Sequence, residues 1–339
     1  MGLLLPACAS RLPYPRSDHF DGEHFLQPGG RPPAGLLALL RWKLTGDRQE
    51  WPEQVKNTAT PALVTGPVSE GEVHVTFVNH ATCLIQMRGL TVLTDPIFSE
   101  RASPVSWAGP SRVRPPGLAL DALPALDVVV VGHNHYDHLD LASLKAISDR
   151  LHPLFLVPLG NAALLQEAGI SNVVELDWWQ RLALPSGGSV QLVPSQHWSA
   201  RGLFDRNRAL WGSYVLEAAG TRVFFAGDTG YGPHFKAIRE RVGPMDVSLL
   251  PIGAYEPRWF MKDQHMNPAD AVKAHRDLAS AASMGIHFGT FQLTDEGIHA
   301  PAIALGQALA QEHVPAAAFR VPRVGETLLF RRASAASSP

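Results

Sequence analysis

Three histidines and an aspartate fall within six positions of VVVVGHNHYDHLD at 128–140: His133, His135, Asp137 and His138. Imidazole and carboxylate are the side chains that hold divalent metals and, through them, activate water for hydrolysis. The spacing adds geometry. His133 and His135 are two apart, so an extended chain points them the same way. Asp137 and His138 come after a turn and aim elsewhere, which suits a second metal beside the first. The competing reading is a polar turn that happens to be rich in histidine. Three more apolar runs end in such residues: SVQLVPSQHW at His197, RVFFAGDTG at Asp228 and SMGIHFGTF at His287. Taken singly, a histidine at a strand end more often makes a structural hydrogen bond, and an aspartate before Thr-Gly marks a turn. Together the seven groups exceed one tetrahedral ion and fit two metals that share a carboxylate.

The remaining composition narrows this chemistry. Only two cysteines occur, Cys8 and Cys83, so no cysteine-rich zinc motif can form and the ligands must be nitrogen and oxygen. PSQHW lacks the glycines of a nucleophile elbow, so no Ser-His-Asp triad is indicated. A formal net charge of -2 implies neither a nucleic-acid partner nor an acidic tail. With 339 residues, 45% of them hydrophobic, the chain can bury a large core.

The elements that must position these groups follow from the pattern. Short apolar runs (VHVTFV, TVLTDP, DVVVVG, SVQLVPS, RVFFAGD, DVSLLPIG, SMGIHF) begin near residue 72. Helix-like segments lie near 141–150, 161–168, 233–242, 268–280 and 302–312. This alternation predicts sheets covered by helices, an α/β fold whose strand ends converge on one ligand-binding edge. Residues 1–70 read as an N-terminal extension containing a short amphipathic helix, GLLALLRWKL at 35–44, expected to dock on the core or to lie on a membrane surface. Residues 71–331 read as the hydrolase domain and 332–339 as a disordered tail. No apolar run is long enough to cross a bilayer. The expected location is the cytoplasm, peripheral at a membrane. MGLLLPACAS resembles the end of a lipoprotein signal, so anchoring through Cys8 is the alternative if the true start lies upstream.

Longer phrases carry a closer likeness. The pattern H-x-H-x-D-H, with a distant His, Asp and His, resembles the metallo-β-lactamase superfamily. NHAT, LTDPIFSERASP, GPSRVRPP, HNHYDHLD, VPLG, ELDWW, PSQHW, LWGSY, FFAGDTGY, PIGAYEPRWFMKDQHMNP and IHFGTF, spread over about 73–293, resemble the N-acyl-phosphatidylethanolamine-hydrolysing phospholipase D family, including its bacterial members. The resemblance implies an αββα four-layer sandwich and two Zn2+ ions. His133, His135 and His197 would hold the first, Asp137, His138 and His287 the second, and Asp228 would bridge them. It also implies that metal-activated hydroxide releases N-acylethanolamine from the phospholipid substrate and leaves phosphatidic acid. Asp137, Asp228, His265 and Tyr136 are the implied catalytic residues, and Tyr136, Gln264, His265 and His80 the implied substrate contacts. The 35–44 helix, Trp178, Trp179 and Trp259 are expected to supply an apolar groove or a membrane contact, and a homodimer is a further expected assembly. The alternatives are a lactonase or other ester hydrolase on the same scaffold, a non-catalytic lipid- or metal-binding protein, and a di-iron redox protein. Proteins of the last kind typically place a carboxylate where His135 stands.

Overall fold

A computed structural model describes residues 12–29 and 35–332. Cys8 and the tail beyond Arg332 lie outside the described residues. Six strands in succession build most of the first sheet: β1 (Glu72–Asn79), β2 (Thr82–Met87), β3 (Leu90–Thr94), β4 (Val128–Val130), β5 (Leu154–Pro158) and β6 (Val173–Leu176). The second sheet takes β7 (Arg181–Ala183), β8 (Ser189–Val193), β9 (Ser213–Ala218), β10 (Thr221–Phe225), β11 (Val247–Pro251), β12 (Ala282–Ile286) and β13 (Phe319–Arg320). The last strand, β14 (Thr327–Arg331), returns to the first sheet. The orders are β14-β1-β2-β3-β4-β5-β6 and β13-β12-β11-β10-β9-β8-β7. Each sheet is antiparallel on one flank and parallel on the other, from β3 to β6 and from β10 to β13.

Alternation along the strands sorts side chains into three apolar layers. Val128 and Val130 face the space between the sheets with Phe77, Leu192, Tyr214, Phe225 and Leu249. Val129 and Val131 face outward, under Leu144 and Ile147 of α2 (Leu141–Leu151) and Leu165 of α3 (Ala162–Glu167). Phe224 and Leu250 lie on the other outer face, beneath α4 (His234–Val242), α6 (Pro268–Asp277) and α7 (Ala300–Gln311). A strand buried on both faces needs apolar residues at every position, which is why the run before His133 is unbroken valine. The expected four-layer sandwich, helices outside two sheets, is the fold that forms.

The amphipathic helix docks on the core, but through one residue. α1 (Leu36–Thr45) does not bury a leucine stripe: Leu37 and Leu44 are 83% and 85% exposed. It docks instead through Trp42, whose Nε1 donates to Asp295 (2.8 Å) and whose ring lies 5.0 Å from Phe260 of α5 (Arg258–Met261). A tryptophan combines a large apolar surface with one donor, so it anchors a helix that few other residues hold. The expected groove aromatics also divide. Trp178 is buried and donates to the Trp211 carbonyl within the core, whereas Trp259 is exposed beneath Arg41.

Candidate metal centre

The strand ends converge as the sequence suggests, and the structure brings all seven expected ligands together. β4 gives way at Gly132, whose amide donates to Asp95 Oδ1 (2.7 Å) and whose Cα faces the Gly212 carbonyl too closely for a side chain to enter freely. The chain then makes one helical turn, with Leu139 N donating to the His135 carbonyl (2.8 Å). That turn separates the pairs: His133 Nε2 lies 2.8 Å from His135 Nδ1, and His197 Nε2 lies 3.2 Å from the same atom. On the other side, Asp137 Oδ2 stands 3.4 Å from His138 Nε2 and 3.5 Å from His287 Nε2.

Asp228 lies between the two groups. Its Oδ2 is 3.1 Å from His138 Nε2, 3.9 Å from His133 Nε2 and 3.8 Å from His197 Nε2, while its Oδ1 is 3.0 Å from His287 Nε2. Clusters of this kind, with ligand atoms within 4.8 Å of one another, could hold metal ions.

The donor set fits cations. His135 Nε2, His138 Nε2, both nitrogens of His287 and Asp228 Oδ1 are buried without a hydrogen-bond partner. Buried polar atoms rarely remain unpaired, because losing water without a replacement costs roughly 1–3 kcal/mol each. Burial, reinforced by neighbouring imidazoles, holds His133 well below its usual value and pushes His135 down to about 3. Burial likewise brings His197 to about 4, so these three are neutral and keep their lone pairs. Burial favours the neutral acid at Asp137 and Asp228, yet the surrounding histidines outweigh it and keep both ionised. At His138 and His287 the balance reverses: burial opposes charge, but the carboxylates raise His138 well above its usual value and His287 to about 9. The pocket of carboxylates thus demands positive charge, which bound cations would supply.

A second layer of residues fixes these groups. Asp95, which the sequence reading passed over, accepts from His138 Nδ1 (2.5 Å) and leaves Nε2 aimed at the carboxylates. Its signal was available, since LTDP is another apolar run ending in an aspartate. His197 Nδ1 donates to the Gln264 carbonyl (3.0 Å), which sets its tautomer in the same way. Asp95, His80, His287 and Ala254 all take left-handed backbone conformations, unusual for residues with a side chain. Such conformations persist where surrounding contacts over-determine them, and they cluster at functional sites.

Two expected substrate contacts sit elsewhere. His80 is fully buried behind Asp137, its Nε2 donating to Oδ2 (3.0 Å) and its carbonyl accepting from His287 N (2.7 Å). Burial pushes it down to about 3, so it braces the ligands as a neutral donor. Tyr136 points away from the ligands, because its hydroxyl donates to the Arg201 carbonyl (2.9 Å) and the Arg201 guanidinium covers its ring. Arg201 itself donates to the Asn134 and Leu139 carbonyls and clips the ligand turn, a role its sequence context did not signal. Gln264 and His265 do face the cleft above the ligands, with His265 Nδ1 3.9 Å from Asp228 Oδ2.

That cleft has a volume of about 510 Å³. His135, Asp137, Asp228 and His265 form its floor, and Leu39, Trp42, Trp198, Leu203, Phe260, Met261 and Leu293 its walls. A larger hollow of about 690 Å³ opens between Lys43, Arg48 and residues 109–113, but it contains none of the ligands.

The chain is similar to known proteins at two levels, family and fold. A family model described as a beta-lactamase superfamily domain matches residues 91–288. N-acyl-phosphatidylethanolamine-hydrolyzing phospholipase D 1 of Caenorhabditis elegans is 40% identical over 286 residues, covering 79% of this chain and 80% of that one. Among solved structures, the metallo hydrolase Igni18 of Ignicoccus hospitalis is similar at a TM-score of 0.58 and 22% identity, covering 77% of this chain and 99% of its own. CmlA, a diiron beta-hydroxylase of Streptomyces venezuelae, is similar at 0.57 and 23%, covering 78% and 55%. The two structures share the fold and differ in chemistry, so the sequence relationship places the chain. It is a metal-dependent hydrolase, and it belongs to the N-acyl-phosphatidylethanolamine-hydrolysing phospholipase D family of the β-lactamase superfamily.

Proposed function

We propose that the protein is a dizinc phosphodiesterase that cleaves N-acyl-phosphatidylethanolamine between phosphorus and the N-acylethanolamine oxygen. The observation that carries this reading is the placement of Asp228 between two imidazole groups at the floor of an apolar cleft. An all-imidazole set at His133, His135 and His197 suits zinc, and Asp137, His138 and His287 form the second set. Zinc bound there supplies a Lewis acid and makes hydroxide available near neutral pH. The chain's own residues do the rest. Asp228 and Asp137 are kept ionised and fixed, Asp137 by the His80 N–H. His265, neutral because burial holds it well below its usual value, and the Gln264 amide face the cleft where phosphoryl oxygens would lie. Water adds to phosphorus, the P–O bond to N-acylethanolamine breaks, and the departing oxygen takes a proton. Phosphatidic acid remains.

The cleft walls fit acyl chains, and their outer edge fits a membrane. Leu203 and Phe204 are 91% and 92% exposed in the loop after Trp198, and Leu37 and Leu44 project from α1 beside Arg41 and Lys43. Exposed apolar residues flanked by cations suit peripheral attachment to a lipid surface, with the extension through residue 70 supplying one lip. Mass spectrometry of products from defined N-acyl-phosphatidylethanolamine tests the reading. N-acylethanolamine should form, stop on chelation and return with zinc. Turnover of a lactone with no turnover of the lipid would overturn it.

A further inference from the structure

One charge in the cleft is unused by the metal centre. Arg206, in the loop between His197 and β9, is half-buried and lines the cleft with Trp198, Leu203 and His265. Its guanidinium lies 4.6 Å over the Trp198 ring, and that ring in turn meets His135 edge-on at 4.3 Å. A positive charge is therefore held one indole ring away from His135, on the wall of the cleft. Among the described residues Arg206 has neither an ion pair nor a hydrogen bond. The adjacent carboxylate, Asp205, is committed to the backbone amides of Arg201 and Gly202. Burial pushes the guanidinium down from its usual value with no carboxylate to counter it. A cation partly stripped of water gains most from an anion that supplies charge and acceptors together.

We propose that Arg206 recognises the phosphodiester anion and makes the enzyme select lipids whose headgroup carries no cation. This rests on the phosphodiesterase reading and adds its specificity determinant. N-acylation turns the ethanolamine ammonium into a neutral amide, so the lipid carries the phosphodiester charge alone. A free ethanolamine or choline headgroup adds a cation and becomes zwitterionic. The cleft offers such a cation no partner: its lining carboxylates, Asp137 and Asp228, face the imidazoles. One face of the Trp198 ring, which could have attracted an ammonium, is covered by Arg206. An ammonium entering there meets a like charge.

The test compares zinc-loaded wild type with Arg206→Gln and Arg206→Lys on N-acyl-phosphatidylethanolamine and phosphatidylethanolamine of matched chains in mixed micelles. In parallel, binding of dihexyl phosphate, a soluble monoanionic diester, is measured by calorimetry. Arg206→Gln should raise KM for the N-acylated lipid roughly tenfold with little change in kcat, narrow the preference over the free amine, and weaken dihexyl phosphate roughly tenfold. Arg206→Lys, which keeps the charge and loses the fork, should retain the preference and part of the affinity; it also serves if the glutamine variant fails to fold. An Arg206→Gln protein with wild-type melting behaviour, unchanged preference and unchanged dihexyl phosphate affinity would overturn the proposal even if N-acylated lipid is cleaved. Wild type that cleaves neither lipid, yet binds dihexyl phosphate through Arg206, would sink the phospholipase reading and leave the anion site standing.

Discussion

The floor and the wall of the cleft are built on different principles. Every floor ligand sits at or just beyond a strand end, and several carry a brace: Asp95 for His138, the Gln264 carbonyl for His197, His80 for Asp137. The wall comes from α1, α5 and the loop after Trp198, held by Trp42 on Asp295 and by cations over indole rings. Metal geometry fails when ligands drift by a fraction of an ångström, so the floor needs sheet rigidity. Acyl chains are bound by area, so a wall may be soft. The chemistry is therefore fixed in the sandwich, while substrate choice lies in segments that can change without disturbing it.

The largest expected effect comes from breaking the floor. Asp228→Asn removes the negative charge between the two imidazole groups and leaves five imidazole nitrogens, His265 Nδ1 among them, within 3.9 Å of a neutral amide. Activity should fall at least about a thousandfold and bound metal should drop, read by kcat and elemental analysis. Full activity in that variant would mean that catalysis does not reside at the floor. Asp95→Asn is the next step down, since it touches no substrate and acts through His138. Metal affinity should weaken roughly 10–100-fold, measured by chelator competition, with a wild-type fold.

Wall substitutions should separate interface from chemistry. Leu37→Ser with Leu44→Ser removes two exposed apolar side chains from α1. Binding to phospholipid vesicles should weaken roughly tenfold or more, because each leucine entering an apolar phase contributes about 1.5–3 kcal/mol. Hydrolysis of a monomeric short-chain substrate should change little. A loss of kcat on that substrate would show that wall and floor are coupled after all.

The floor was far easier to read in sequence than the wall, for physical reasons. A strand buried on both faces must be apolar throughout, so a polar residue at its end is conspicuous; His133, His197, Asp228 and His287 all stand out this way. Asp95 obeys the same rule, but an aspartate before proline also suits a turn, which makes its signal weaker. The resemblance puts His80 and Tyr136 near the site, but a matched motif does not say to which side a ring turns. One lies behind Asp137 and the other beneath Arg201. Leucines 37 and 44 repeat at helical spacing as a docked face would, and only the tertiary structure shows that Trp42 replaces them.

A last contrast sets the surroundings of the floor against the segment before α1, by the sign of the response to pH. His234 lies beside the floor, with Nε2 3.1 Å from the Thr229 hydroxyl, which also accepts from Gln196 N and so ties the His197 and Asp228 loops together. Burial pushes His234 down to about 3. Between pH 6.5 and 3 the unfolded chain takes a proton that the folded one refuses, so stability falls as pH drops, by about 2 kcal/mol at pH 5 for this residue. His19, in the segment before α1, has the opposite character. Burial opposes its charge, but Asp177 and Asp18, at 2.7 and 2.6 Å, outweigh burial and raise it above its usual value. Its contribution is complete below about pH 6.5 and is lost as pH rises through the folded value. Hydrogen exchange of residues 17–26 should therefore quicken on the alkaline side, while the melting temperature of the whole protein declines on the acid side. His19→Gln should flatten the first response, and His234→Gln should reduce the second by its own share while the other buried histidines keep the rest. If exchange in 17–26 instead quickened on acidification with the global melt, that segment and the surroundings of the floor would be one cooperative unit.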